Sequence, residues 1–279
     1  MSSNRHIDLH LHTTASDGRL TPAELVLAAR QLELTLIAIT DHDTTAGIPE
    51  AQAIARGNPV IIPGIELSTA DNGHDVHLLG YFIDIEHAGL QDSLRDFRNA
   101  RDNRARKIVN RLDELNLPIT WEQVAEVANG GAIGRPHIAQ AMVQAGHVSS
   151  VSEAFEKYLY TGGPAYIARQ RLTPEQGVAL IHNAGGVAVL AHPGLVSDFE
   201  SLVIRLVPAG LDGVEIMHPK NLAEVRARLW ELAEYYHLIP TGGSDFHNAE
   251  RGPMASEIPP EGCVERLQAQ AQRHRQHAR

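Results

Sequence analysis

Short apolar runs alternate with amphipathic segments along most of this chain. Several of the apolar runs are nearly continuous, which is typical of strands that are buried on both faces of a parallel sheet. Helix-start signals lie between them: Thr21-Pro22-Ala23-Glu24 and Thr173-Pro174-Glu175 each combine an N-cap residue, a proline at the first helical position and an acidic first turn. The pattern predicts seven strands, at His6–His10, Leu36–Thr40, Val60–Glu66, Val76–Ile83, Val187–Ala191, Gly213–Met217 and Ile239–Gly243.

The connections between these strands predict the fold class. Most are long enough for a single helix, so we expect an α/β protein built on a (β/α)-type barrel that is incomplete or distorted. One connection is much longer, because roughly a hundred residues with helical character and no obvious strand separate Ile83 from Val187. We interpret it as a helical subdomain inserted at 89–171, which leaves 1–88 and 172–279 for the barrel. Its predicted helices are Leu90–Leu117, Trp121–Ala128, Pro136–Ala145 and Ser152–Tyr160.

The first predicted strand carries polar side chains of one chemical type on one face. Successive strand residues point to opposite sides, so Asp8, His10 and His12 share a face. Burying a carboxylate and two imidazoles together is costly unless something compensates for them. A divalent metal ion compensates well, because neutral imidazole and carboxylate oxygen are both good ligands for borderline cations.

Side chains of the same class recur at or near the ends of other predicted strands. They are Asp17, His42, Glu66, His77, His192, Asp245 and His247. The carboxyl ends of barrel strands form the rim that carries the chemistry of barrel enzymes, so we expect these residues to converge there. With His10 and His12 they make nine candidate ligands, and a catalytic ion takes about three protein ligands, so the count indicates two or three ions. Such centres serve hydrolysis, most often of phosphate esters.

The composition limits the classes of partner that this protein is expected to bind. The net charge of −10 and the pI near 5.9 argue against binding of duplex nucleic acid, whereas a small anionic substrate is compatible because bound cations change the local potential. Cys263 is the only cysteine, which excludes an intrachain disulfide and a thiolate metal site. We find no apolar signal segment at the start and no membrane-length apolar run, so we expect a cytoplasmic protein that does not bind membranes.

These motifs resemble those of the polymerase and histidinol phosphatase (PHP) family. The resemblance covers His6–His87 and Gly185–His247. The motifs that carry it are Asp8-x-His10-x-His12, Thr40-Asp41-His42-Asp43, Glu66 with His77, His192-Pro193, and Ser244-Asp245-x-His247.

The resemblance implies a distorted (β/α)7 barrel with a trinuclear metal centre. Its ligand sets would be His10, His12, Glu66 and Asp245 for one ion, Glu66, His77 and His192 for a second, and Asp17, His42 and His247 for a third. Some relatives have a histidine at the position of Asp17. Asp8 is then expected to orient a metal-bound imidazole rather than to bind metal. Mn²⁺ is the expected metal, with Zn²⁺ or Fe²⁺ as alternatives.

The insertion contains the segment Gly134-Arg135-Pro136-His137, which opens a helix. A helix N-terminus with an arginine and a histidine beside it is suited to an anion, although an ordinary proline-initiated helix with a solvated Arg135 has the same pattern. The segment resembles the stand-alone PHP phosphoesterases that act on nucleoside 3′,5′-bisphosphates and on the 5′ ends of short oligonucleotides, in which the insertion caps the barrel mouth. Lys220 is either a second phosphate contact or a solvated loop lysine.

The resemblance therefore implies a metal-dependent phosphatase. It would remove the 3′-phosphate of nucleoside 3′,5′-bisphosphates by attack of a metal-bridged hydroxide, leaving the nucleoside 5′-monophosphate, and short 5′-phosphorylated single-stranded RNA would be a further substrate. Arg135 would neutralise phosphoryl oxygens. The proton for the leaving oxygen would come from His137, Asp43 or a metal-bound water.

Three alternatives remain open at this point. A histidinol-phosphate phosphatase shares the barrel motifs but generally lacks the insertion sequence. An amidohydrolase-type C–N hydrolase commonly bridges its metals with a carboxylated lysine, and Lys107, Lys157 and Lys220 lie at no convincing strand end. A non-catalytic PHP module attached to a polymerase is disfavoured by the complete ligand set.

Overall fold

The chain folds into two compact units. The computed structural model describes residues 6–128, 133–167 and 172–277. One unit is Met1–Gln91 with Leu172–Arg279, and the other is Asp92–Arg171. The boundary predicted at 171 falls in residues 168–171, which lie outside the described part of the chain.

The first unit is built on a seven-stranded sheet in sequential order. Its strands are β1 (Ile7–Leu11), β2 (Leu36–Ile39), β3 (Val60–Asp71), β4 (His74–Tyr81), β5 (Val187–Leu190), β6 (Gly213–Met217) and β7 (Ile239–Gly242). The sheet nearly closes, because the segment after β7 pairs with β1 through a parallel bridge between Leu11 and Phe246. This confirms the predicted distorted (β/α)7 barrel.

The four helices predicted in the insertion and the two predicted helix starts agree closely with the helices of the structure. They are α1 (Pro22–Gln31), α2 (Ile48–Ala55), α3 (Ala88–Glu114), α4 (Trp121–Ala128), α5 (Arg135–Gln144), α6 (Val151–Ala154), α7 (Pro174–Asn183), α8 (Phe199–Leu206), α9 (Ala223–Tyr236) and α10 (Cys263–His277). A π-helical segment, Phe155–Leu159, continues α6. The capping box at Thr21 and Glu24 is present, and Thr173 caps α7 in the same way.

The strand pattern separates an apolar face from a polar one. Leu9 and Leu11 of β1 are fully buried in apolar clusters, the first with Tyr81 and Cys263 and the second with residues of α1 and α2. The alternate residues of β1 therefore point into the barrel. This alternation is what brings the polar side chains of several strands together.

One strand differs from the expected parallel arrangement. β4 runs antiparallel to both β3 and β5. β3 continues to Asp71 and turns through Asn72 and Gly73, which have positive φ angles of 48° and 84°. Asn-Gly is the pair preferred in two-residue hairpin turns, because both of its residues tolerate a left-handed backbone. His77, the fourth of the eight residues of β4, therefore reaches the same rim as Glu66 from inside its strand, not from its carboxyl end.

The second unit has its own apolar core. It is formed by buried side chains of the helices from α3 to α6 and the segments between them, among them Ile108, Leu112, Val124, Ile138 and Met142. Across both units, no helix of the described residues has the length and apolarity needed to span a membrane.

Candidate metal centre

Glu66 lies at the centre of the site and is only 1% exposed. Each of its carboxylate oxygens lies beside a different set of histidine nitrogens. The Oε2 set is His10 Nε2 at 3.2 Å, His12 Nε2 at 3.1 Å and His42 Nδ1 at 3.3 Å. The Oε1 set is His77 Nδ1 and His192 Nε2, both at 2.8 Å. A carboxylate arranged in this way can bridge two cations.

The first donor group consists of His10, His12, Glu66 and Asp245, whose donor atoms lie within 4.8 Å of one another. Asp245 Oδ1 is 3.4 Å from His10 Nε2 and 3.3 Å from His12 Nε2. The close approach of this segment to β1 requires Gly243, because an added Cβ would lie 2.5 Å from the backbone nitrogen of His10.

The second donor group consists of Glu66, His77 and His192. Besides the two contacts to Glu66 Oε1, His77 Nδ1 lies 3.3 Å from His192 Nε2. These three atoms come from β3, from the antiparallel β4 and from His192, the second residue after β5. They are close enough together to share one cation.

The third donor group consists of Asp17, His42 and His247, with His12 Nδ1 nearby. His247 Nε2 is 3.3 Å from Asp17 Oδ2, and its Nδ1 donates to the Asp245 carbonyl oxygen at 2.9 Å. The Asp17 side chain is 49% exposed, whereas His12 and His247 are buried. This group is therefore the most open of the three to solvent.

Unpaired ring nitrogens show that the histidines suit a metal. Within the described residues, the buried side-chain nitrogen and oxygen atoms that have no hydrogen-bond partner are both ring nitrogens of His12 and the Nδ1 atoms of His42 and His192. Buried polar atoms are normally hydrogen-bonded, and leaving them unpaired costs free energy. Divalent cations would satisfy such nitrogens, so the donor set fits the metal-dependent chemistry that the motifs predict.

The electrostatics of the site also favour cations. Burial by itself would raise the pKa of Glu66, but the neighbouring histidines, His42 first, hold the pKa well below its usual range. Burial opposes protonation of His12, yet its contacts with Asp245 and Glu66 raise its pKa to about 9. Burial outweighs the attraction of Glu66 at His42 and lowers the pKa to about 4. The carboxylates stay ionised, and they attract positive charge to the histidine nitrogens.

Three site residues have a left-handed backbone. Asp43, His192 and Asp245 have φ angles of 53°, 30° and 52°. Such conformations cost on the order of 1–3 kcal/mol for residues other than glycine and cluster at functional sites, although aspartate and histidine tolerate them better than most. The turns after β5 and β7 bring the side chains of His192 and Asp245 into the donor groups, whereas the Asp43 side chain accepts from the Ser68 backbone nitrogen.

The structure gives Asp8 a different role from the predicted one. Asp8 is fully buried and accepts hydrogen bonds from the backbone of His10, Ser244 and Ala255 and from the Ser244 hydroxyl. It therefore holds the segment after β7 and contacts no imidazole ring. The carboxylate that faces the His10 ring is Glu215, at 2.9 Å from Nδ1. Sequence reasoning missed it, although a single carboxylate in the apolar run Gly213–Met217 was a usable signal.

The remaining predicted residues lie outside the donor groups. Asp43 is buried and accepts from the backbone nitrogen of Ser68 at 2.8 Å. Lys220 lies on an exposed loop after β6. Arg135 and His137 belong to the second unit.

Arg135 and His137 both make contacts near the start of α5. Arg135 donates to the Leu159 carbonyl at 2.9 Å, and its guanidinium lies 5.6 Å from the Phe155 ring. Arg135 is thus held in place rather than freely solvated. His137 Nδ1 accepts from the Gly134 backbone nitrogen at 3.1 Å.

Comparison with known proteins gives one family match, two similar relatives and one similar solved structure. The PHP domain family matches residues 8–166. The chain is 41% identical over 247 residues to the 5′-3′ exoribonuclease Rnm of Salmonella typhimurium. The aligned region covers 86% of this chain and 84% of that protein. The chain is 35% identical over 254 residues to the 3′,5′-nucleoside bisphosphate phosphatase of Chromobacterium violaceum, and the aligned region covers 88% of this chain and 89% of that protein. A solved structure from Bifidobacterium adolescentis, assigned as a metal-dependent phosphoesterase, has a TM-score of 0.78 at 34% identity and covers 97% of this chain and 98% of that one.

The family match covers more than half of the chain, and the relatives are similar along most of their own length. The family match includes the segments that carry His10, His12, His42, Glu66 and His77. The chain therefore belongs to the PHP family of metal-dependent phosphoric ester hydrolases.

Proposed function

We propose that this protein is a Mn²⁺-dependent phosphatase of nucleoside 3′,5′-bisphosphates. It would release the 3′-phosphate and leave the nucleoside 5′-monophosphate, and it would also act on short 5′-phosphorylated RNA. The observation that carries the proposal is the position of Glu66, whose two oxygens lie in two different donor groups. A bridging carboxylate holds two cations close together, as enzymes that hydrolyse phosphate esters require.

The substrate class follows from the chemistry that the two named relatives share. A nucleoside 3′,5′-bisphosphate carries a 5′-phosphate and a phosphorus on its 3′-oxygen. A 5′-3′ exoribonuclease cleaves at the phosphorus on the 3′-oxygen of the terminal nucleoside. Both reactions therefore concern the same phosphorus position, counted from the 5′ end. One site that recognises a 5′-phosphorylated nucleoside would serve both.

We assign the metal ligands of the proposed enzyme from the three donor groups. His10, His12, Glu66 and Asp245 would hold one ion, Glu66, His77 and His192 a second, and Asp17, His42 and His247 a third. The ions would supply Lewis acidity toward the phosphoryl oxygens and an activated water. Manganese suits this mixture of imidazole and carboxylate without sulfur.

Other residues would bind the substrate and deliver a proton. We assign phosphate contacts to Arg135, His137 and Lys220, because they offer N–H donors to an anion. Burial lowers the pKa of His137, so its ring is neutral at pH 7, and with Nδ1 accepting from Gly134 its proton lies on Nε2. That N–H would donate a hydrogen bond to a phosphoryl oxygen. The candidates that would protonate the leaving oxygen are the imidazolium form of His137, the acid form of Asp43 and a metal-bound water.

A carboxylated-lysine bridge is disfavoured by the positions of the three lysines. Lys107 lies in α3, Lys157 in the π-helical segment and Lys220 in an exposed loop, so none is on a barrel strand. In the proposed enzyme Glu66 would supply the bridge instead. This argues against the C–N hydrolase alternative.

A substrate panel after reconstitution with Mn²⁺ tests the proposal. We expect phosphate release from adenosine 3′,5′-bisphosphate to exceed that from adenosine 3′-monophosphate by at least about tenfold, because one charge-assisted contact is worth roughly 1.5–3 kcal/mol. A 5′-phosphorylated dinucleotide should be cleaved faster than its 5′-hydroxyl form. A preference for histidinol phosphate, or equal rates with and without the 5′-phosphate, would contradict the proposed substrate class.

A further inference from the structure

β6 supplies none of the nine candidate ligands, yet its carboxyl end lies among them. Glu215 of β6 and His218, just after it, are both fully buried. The rings of His10 and His192 lie 6.1 Å and 5.4 Å from the His218 ring. Charged and polar groups at this depth need defined partners.

Glu215 contacts two candidate ligands at once. Its Oε1 atom lies 2.9 Å from His10 Nδ1, and its Oε2 atom accepts from the backbone nitrogen of His192 at 2.7 Å. A carboxylate accepts hydrogen bonds, so the proton of the His10 ring lies on Nδ1. The lone pair on His10 Nε2 then points toward Glu66 and Asp245 in the first donor group.

His218 acts on Asp245 in the same manner. Its Nδ1 atom accepts from the backbone nitrogen of Lys220 at 3.0 Å, which places the ring proton on Nε2. That nitrogen lies 3.4 Å from Asp245 Oδ2. The other oxygen, Oδ1, is the one that lies beside His10 Nε2 and His12 Nε2. The two oxygens of Asp245 thus have different partners.

The backbone that carries these two residues is held in place by Asn221. Its Nδ2 atom donates to the carbonyl oxygens of Glu215 and Ile216 at 2.9 and 3.0 Å. Its Oδ1 atom accepts from the backbone nitrogen of Gly194, two residues after His192. The end of β6 and the turn that carries His192 are therefore joined directly.

We propose that Glu215 and His218 are positioning residues of the metal centre: Glu215 fixes the tautomer of His10 and the backbone at His192, and His218 directs Asp245. The inference rests on the proposed metal centre and adds to it two residues outside the ligand sets. A separate ion held by His10, Glu215 and His218 is disfavoured, because both Glu215 oxygens already accept from N–H groups. Partners of this kind behind metal ligands typically alter affinity or activity 10- to 100-fold.

The main test is Glu215→Gln. Glutamine presents one acceptor and one donor to two N–H donors, so one of the two contacts is lost. We expect the dissociation constant for Mn²⁺ to rise about 10- to 100-fold and the visible spectrum of the Co²⁺-loaded protein to change. Both readouts are independent of turnover, and the thermal unfolding of the metal-free protein is measured alongside them.

Asp212→Asn is the matched control. Asp212 directly precedes β6 at the opposite end of the strand, and it also accepts from a backbone nitrogen and a histidine ring, those of Ala188 and His182. It contacts none of the three donor groups in the described structure. This variant should lower the thermal stability and leave the Mn²⁺ affinity of the centre unchanged.

If Glu215→Gln does not fold, a second pair of variants tests the positioning role at His218. His218→Leu removes the donor to Asp245 and should weaken Mn²⁺ binding. His218→Gln keeps an N–H donor near the position of Nε2 and should retain part of the Mn²⁺ affinity that His218→Leu loses.

Wild-type affinity and an unchanged Co²⁺ spectrum in Glu215→Gln would overturn the inference, as would equal losses of affinity in Glu215→Gln and Asp212→Asn. A wild-type protein that binds no Mn²⁺ would overturn the proposed function itself.

Discussion

At the scale of single residues, Glu66 is a buried carboxylate surrounded by histidine rings. It is almost completely buried, and its two oxygens lie within 3.3 Å of five histidines. Burial of a carboxylate is costly without compensating charge, and here the surrounding histidines keep its pKa low. Its negative charge is therefore available to two cations at once.

Glu66→Gln tests this bridging role. The change keeps the size of the side chain but removes the charge that two ions would share, so we expect the metal content to fall and kcat to drop by at least about 100-fold. Metal analysis and phosphate release measure the effect, and circular dichroism of the metal-free variant controls for folding. Full metal loading or full activity in this variant would rule out the bridge.

Arg135→Lys tests the phosphate contact proposed for Arg135. Lysine lacks the planar group that meets two phosphate oxygens, so kcat/KM for a nucleoside bisphosphate should fall by about one to two decades, equivalent to roughly 1.5–3 kcal/mol. The loss should be small for an aryl phosphate, which carries a single phosphate group.

The structure supplies a control for this variant. Arg106 also contacts an aromatic ring in the second unit, with its guanidinium 3.8 Å from the Trp121 ring centroid. Arg106→Lys should change kcat/KM for neither the nucleoside bisphosphate nor the aryl phosphate. Parallel losses on both substrates in Arg135→Lys would instead indicate a role in folding, since Arg135 also donates to Leu159.

At the scale of secondary-structure elements, Asp212 joins parts that are distant in sequence. Its carboxylate accepts from His182 in α7, from Ala188 in β5, and from Gln270 and His274 in α10. Burial by itself would raise its pKa, but the hydrogen bonds from the two histidines lower the pKa to about 2. The ionised carboxylate thus stabilises the contact of α10 with the barrel strands.

This arrangement predicts a pH-dependent stability difference. The folded pKa lies below the usual value of 3.8, so the contribution is fully present above about pH 4 and is lost as the pH falls toward 2. At pH 7, Asp212→Asn should reduce the free energy of unfolding by about 2 kcal/mol, and about half of that difference should be gone at pH 3. Urea unfolding measures it, with Glu261→Gln at an exposed position as the control. A difference that does not change with pH would contradict this origin.

At the scale of the whole molecule, all three donor groups lie in the barrel unit. Their side chains come from β1, β3 and β4 and from the segments after β1, β2, β5 and β7. An unfolded chain would not hold these donors together, so metal binding and folding of this unit are linked.

Metal removal should therefore destabilise the protein. At a metal concentration one hundred times the dissociation constant, each site contributes about 2.7 kcal/mol, so emptying a single site should lower Tm by about 5–10 °C. Chelation of all bound ions should lower Tm by about two to three times as much and abolish hydrolysis. Scanning calorimetry with EDTA and then with added Mn²⁺ measures this. Hydrogen exchange should slow on metal addition in β1 and β3 and change little in α4 and α5. An unchanged Tm would mean that the donor groups do not bind metal in the folded state.

The sequence by itself determined the strand and helix pattern, the inserted helical segment and the nine residues that converge. These depend on local properties, namely periodicity, capping and the chemical type of each side chain, which can be read without knowing what lies across the barrel. The class of chemistry also followed, because imidazoles and carboxylates repeated at strand ends have few other uses.

Only the tertiary structure decided which partner each polar group has. The antiparallel direction of β4 depends on pairing with both β3 and β5, and the Asn72-Gly73 turn is only its local part. Asp8 and Glu215 are both single carboxylates in buried strands, so sequence alone could not tell which one faces the ring of His10. Closure of the barrel brings residues 205 positions apart to 2.9 Å and assigns that role to Glu215, because hydrogen bonds depend on distance and direction in space rather than on position along the chain.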